Sequence, residues 1–96
     1  MKADYDSQAD ALLIDLADVD RCDQLEAIGG SCCEVSLRRG SPANIELLYP
    51  SDHLDLLDLA AERFGIDGEA MRAAAHAAMA APDRPITIDV ADRIPY

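Results

Sequence analysis

From Ala11 to Leu16 the chain alternates: Leu12, Ile14 and Leu16 occupy every second position, with Ala11, Leu13 and Asp15 between them. Successive side chains of a strand point to opposite faces, so this stretch predicts a strand with one buried and one more polar face. Ser7-Gln8-Ala9-Asp10 before it is small and polar, as a hairpin loop requires, and residues 2–6 supply the partner strand with Ala3 and Tyr5 on one face. Alternation returns three times before Pro50. A short strand is expected over 24–28, where Glu26 separates Leu25 from Ala27. In 32–38, Cys33, Val35 and Leu37 share one face, and Cys32, Glu34, Ser36 and Arg38 the other. A fifth strand is expected from Asn44 to Tyr49, ended by Pro50. Gly29-Gly30-Ser31 and Arg39-Gly40-Ser41-Pro42 read as the turns between them. Five short strands with short turns predict an antiparallel β-meander.

Beyond Pro50 the period changes. Leu54, Leu57, Ala61 and Phe64 recur at helical spacing, with Asp52 as the expected N-cap and Gly65 as the C-terminal cap. Asp67 is placed to cap a second helix running to about Ala81, with Ile66 and Met71 as a hydrophobic staple and Met71, Ala74, Ala75, Ala78 and Met79 as its apolar stripe. After Pro82-Asp83-Arg84-Pro85, the residues Ile86, Ile88 and Val90 predict a sixth strand over 86–90, which must join a sheet within the chain or beyond it. The expectation is a single α+β domain over 1–96: a β-meander (1–50), a helical pair (51–81) covering one sheet face, and a C-terminal strand and tail (82–96).

Composition changes the picture in three ways. Half of the 96 residues are hydrophobic but only 4% are aromatic, so the core is aliphatic and alanine-rich, and each side chain buries little area. A formal net charge of -11 argues against nucleic acid and anionic membranes, which need clustered Lys and Arg, and fits a basic protein partner or solubility alone. Three cysteines, an odd number, with no basic-then-apolar leader and no run near membrane-spanning length, point to a reduced, cytoplasmic protein.

The opening YDSQADALLIDL, Tyr5 to Leu16, resembles the bacterial domain-of-unknown-function family 2283, whose members open YDxxADALxIxL, usually with Pro and Glu at the variable turn positions where this chain has Ser7 and Gln8. An aromatic is common where Leu13 stands, and the later Gly-Ile-Glu-Ile-Leu-like strand of the family is similar to Asn44-Ile45-Glu46-Leu47-Leu48. The resemblance covers residues 1–50. It implies a small β-meander with no assigned activity. Because some members sit beside toxin-like genes, it also implies an antitoxin-like role as an alternative.

The chemistry-bearing residues give no recognised catalytic or metal motif. Asp18, Asp20 and Asp23 fail as a calcium loop, since counting from Asp18 the sixth position is Asp23 and the twelfth Gly29, where the pattern needs Gly and Glu. Cys32 and Cys33 are adjacent in a strand and point apart, so they are poorly placed to share an ion, and there is no CxxC or HxxxH. His53 and His76 are the only histidines, neither at a nucleophile spacing. Leu57 to Met79 has helix-turn-helix spacing, but the second helix offers only Glu69, Arg72 and His76 as long polar groups, a poor reader of phosphates and bases. Asp6 and Asp10 are expected to cap turn amides, and Asp15, like them, reads as positional. The candidate interaction surface is therefore on the first helix: Leu56 and Leu59, off the main apolar stripe, with the acidic stripe Asp55, Asp58 and Glu62. The expected function is a non-catalytic protein-interaction domain, homodimeric and without catalytic, metal or cofactor residues. The alternatives are an acidic antitoxin-like or regulatory partner of a basic protein, or a small-molecule-binding domain with its pocket between sheet and helices.

Overall fold

A computed structural model describes residues 1–88. It shows an α+β fold with six strands, β1 (Lys2–Asp6), β2 (Ala11–Asp15), β3 (Gln24–Ala27), β4 (Cys33–Arg38), β5 (Ser41–Leu48) and β6 (Pro85–Thr87), and two helices, α1 (Pro50–Phe64) and α2 (Gly68–Ala80). All strand pairs are antiparallel, in the order β3-β4-β5-β2-β1-β6.

The order corrects the expected meander at one joint. β2 does not pair with β3; it pairs with β5, with Leu13 opposite Glu46 and Ile14 opposite Ile45. The hairpin β1-β2 and the meander β3-β4-β5 are thus two units joined edge to edge through β2 and β5. The polar loop 16–23 carries the chain from the middle of the sheet to its edge. It is pinned on the way: the amides of Leu16 and Ala17 donate to the Ala43 carbonyl, and the Asp23 carboxylate accepts the Arg39 amide at 3.3 Å. Asp23 is thus a turn anchor rather than part of a cation loop.

The expected inward faces of β2 and β4 are the observed ones, whereas in β3 the apolar Leu25 and Ala27 are exposed and Glu26 is half-buried. Leu12, Ile14, Val35, Ile45 and Leu47 are fully buried, and the helices meet them with Leu57, Met71, Ala74, Ala75 and Ala78. Alanine at three of these contacts, Ala74, Ala75 and Ala78, lets α2 lie close to the sheet. Asp67 caps α2 as expected, accepting the Ala70 amide at 3.0 Å, and Gly65 closes α1 in the left-handed region. The start of α1 differs from expectation. The helix begins at Pro50, not after Asp52, with left-handed Tyr49 in the cap position, no side-chain cap and a kink at His53. Proline suits this first position because the first amides of a helix have no internal partner. β5 likewise begins at Ser41, three residues earlier than expected, with Pro42 in the strand beside a register shift in the β4-β5 ladder.

The last strand pairs within the chain. Ile86 lies opposite Ala3, and the Met1 ammonium and the Ile88 carbonyl are 2.9 Å apart. Val90, the end of the expected strand, lies outside the described residues. Among those residues, no helix is long and apolar enough to cross a membrane.

Candidate functional site

Both helices pack on the same side of the sheet, and among the described residues no element covers the other side. Register places its side chains on a grid. One transverse row runs Ala27, Glu34, Glu46, Leu13, Asp4, Pro85 from β3 to β6. The row beside it runs Leu25, Ser36, Asn44, Asp15, Lys2, Thr87, and on the other side Leu48, Ala11 and Asp6 stand in line. The centre is apolar, formed by Leu13, Ala11 and Leu48, and carboxylates flank it on both sides. Leu13 is 39% exposed and Leu25 67%. A shallow hollow of about 460 Å³ lies at this centre, lined by Asp4, Asp6, Leu13, Glu46 and Asp83 among others.

The electrostatics of this face are one-sided. Glu34 stands directly opposite Glu46, a like-charge cross-strand pair that disfavours the free sheet. The two ion pairs between described residues whose partners are identified, Arg63 with Glu26 and Arg72 with Asp58, are both on the helix side. Lys2 stands across from Asp15 in the neighbouring row, and Arg38 lies at the far end of β4.

Several polar groups of the sequence are occupied in holding the fold. The Asp6 carboxylate accepts the amides of Gln8 and Ala9, as expected. Asp10 does not cap the turn. It is itself left-handed, and its carboxylate accepts the Tyr5 hydroxyl at 2.6 Å, which holds the Tyr5 phenol above its usual range. His53 turns its Nδ1 to the carbonyls of Leu48 and Tyr49, at 3.1 and 3.2 Å. Cys33 is buried, and burial pushes its thiol up to about 11, while Cys32, just before β4, is half-buried against the core. His76 is exposed on α2. Among the described residues, no group of three or more His, Cys, Asp or Glu is arranged to hold a metal ion.

The interaction surface expected on α1 is divided by the structure. Asp55, Asp58, Leu59 and Glu62 are exposed, and Leu59 is 49% so. Leu56 is not: at 8% exposure it is buried under the β3-β4 turn, against Gly29. The reason is the added layer. The β3-β4 hairpin extends past α1 and covers a second stripe of that helix, which helical spacing alone leaves open. One of the charges is also offset there, by Arg72 beside Asp58.

Asp83 clasps the fold across the sheet end. Its carboxylate accepts the Ser7 amide at 2.9 Å and the Ser7 hydroxyl at 2.6 Å, and its own amide donates to the Tyr5 carbonyl. Those two bonds from Ser7 hold its carboxyl below the usual aspartate range. With the folded value below the unfolded one, the clasp contributes stability above the ordinary aspartate range and loses it as pH falls through the folded value. The stability gap between the native chain and Asp83→Asn should therefore shrink in urea titrations as pH drops below about 4. A gap equal at pH 7 and pH 2 would count against the clasp.

The sheet face was not visible as a site before the fold was known. Alternation alone places Leu13 and Glu34 outward, but only the β2-β5 pairing puts Glu46 beside Leu13. No family model matches the chain, and no match was found among curated proteins or solved structures.

Proposed function

We propose that this chain is a non-catalytic protein-interaction domain that works through the uncovered face of its sheet. The observation that carries this reading is the apolar centre formed by exposed Leu13 with half-buried Ala11 and Leu48, flanked by carboxylates, on a face that no element of the described residues covers. Single exposed leucines are ordinary, but a clustered apolar centre with a polar rim is the anatomy of an interface. The space between sheet and helices, where a small-molecule pocket was expected as an alternative, is filled by buried aliphatic side chains. Asp6, His53 and Asp83 are engaged by turn amides, carbonyls and a clasp, which supports a structural rather than a catalytic part for these three. The three free thiols suit a reducing compartment, and we place the protein in the cytoplasm. The likeness of residues 1–50 to family 2283 stands as part of this proposal.

A photo-crosslinking residue in place of Leu13 tests the reading in the native cell, with one in place of His76 as control. Adducts should form at position 13 and not at 76; equal yields at both, or none at 13, overturn it.

Homodimerisation is a second reading, favoured by the β3 edge. The ladder bonds of β3 alternate, and the Ile28 amide donates to the Cys33 carbonyl, so the backbone groups of Leu25 and Ala27 face outward. At the other edge Pro85 has no N–H to offer. Light scattering after size exclusion should then give a dimer that Leu25→Lys separates. A monomer at high micromolar concentration removes this reading and leaves the sheet-face reading in place.

A further inference from the structure

Resting on the sheet-face reading, we propose that the occupant of this face is a basic amphipathic helix of another protein. Three features of the structure select it. The first is the side of the sheet that no element of the described residues covers. α1 and α2 cover one side of the sheet, and a helix is the element that packs on such a face at about 10 Å, whereas a strand would need the edge. The second is charge. Asp4, Glu34 and Glu46 share one row with Leu13, and neither identified ion pair lies on this face. A second copy of this chain would bring the same carboxylates to the same place, so face-to-face pairing repels. A cation seated between Glu34 and Glu46 instead removes the like-charge opposition of the free sheet.

The third is spacing. Glu34 and Asp4 are three strand positions apart, about 14 Å across the sheet. Two to three turns of helix rise about 11–16 Å, so arginine or lysine side chains 7 to 11 residues apart, figures of roughly this order, reach both ends of the row. Apolar residues between them, on the same helical face, then rest on Leu13, Ala11 and Leu48. The α1 stripe Asp55, Asp58, Glu62 is a poorer seat, because Arg72 pairs with Asp58 and the leucine beneath is buried.

The test uses the intact chain and three synthetic helical peptides of about 14 residues with one shared apolar stripe, flanked by arginine, glutamine or glutamate. Binding is read by fluorescence anisotropy and by amide chemical shifts. The arginine peptide should bind about tenfold or more tighter than the glutamine peptide, more weakly as salt rises, and should shift Ala11, Leu13 and Glu46. Glu34→Gln with Glu46→Gln should weaken it about tenfold, while Asp55→Asn with Glu62→Gln, the same loss of charge on α1, should change it less than about twofold. Equal binding of the arginine and glutamine peptides overturns the basic partner and leaves the sheet-face reading standing. If the α1 variant weakens binding as much as the sheet variant, the attraction belongs to the net charge of -11 and the inference falls. If no peptide shifts the face, the inference and the reading beneath it both fall.

Discussion

Leu57→Ala should lower the unfolding free energy by about 2–5 kcal/mol, measured by urea denaturation, whereas Leu59→Ala two residues along should change it by less than about 0.5 kcal/mol. The two leucines stand in the same helix with Asp58 between them. Leu57 is fully buried against the sheet, and Leu59 is 49% exposed. Truncating the first removes its transfer free energy and leaves a cavity that an alanine-rich surround closes poorly, since Ala60, Ala61 and Ala74 have no side chain to swing into it. A domain of this size has about 5–15 kcal/mol in total, so the loss is a large part of it. Equal costs at both positions would mean that α1 is not docked on the sheet as described, and the uncovered face would lose its meaning with it.

The second large effect is expected at Gly29. Its φ of +63° lies in the left-handed region, and a Cβ there would sit 2.7 Å from Cδ2 of Leu56. Alanine pays for the left-handed backbone, about 1–2 kcal/mol, and must also push aside a leucine that is only 8% exposed. Gly29→Ala should therefore cost about 2–3 kcal/mol by thermal or urea unfolding. Gly65, also left-handed at φ +67° but with open space around its Cβ position, supplies the reference, and Gly65→Ala should show the backbone cost alone. Adding Leu56→Ala to Gly29→Ala should then cost less than the sum of the two single changes, because the double variant has no clash to relieve. If Gly29→Ala costs no more than Gly65→Ala, the β3-β4 turn is not seated on α1, and Leu56 returns to the list of surface residues.

These two positions mark where the sequence was legible and where it was not. The alternation Leu12-Ile14 and Cys33-Val35-Leu37 named the buried side of the sheet correctly, and the spacing Leu57, Ala61, Met71, Ala75 and Ala78 named the buried side of the helices. Asp67 and Gly65 announced their caps because the physics of a helix end is local: one side-chain oxygen near an amide, one residue able to turn left-handed. Leu56 was misplaced because a helix has two neighbours here, the sheet beneath and the β3-β4 turn beside it, and a periodicity reports only the first. Asp10 was assigned to the wrong partner because Tyr5, five residues back, competes with the turn amides for its carboxylate.

The sequence by itself determined which residues are strand or helix and which side of each is greasy, since those follow from bond geometry and water over stretches of a few residues. Only the tertiary structure decided which strands are neighbours. Pairing β2 with β5 rather than β3 depends on long loops closing around shared apolar area, an energy that no local window contains, and it is this pairing that sets Glu46 against Leu13 and assembles the acidic-rimmed face.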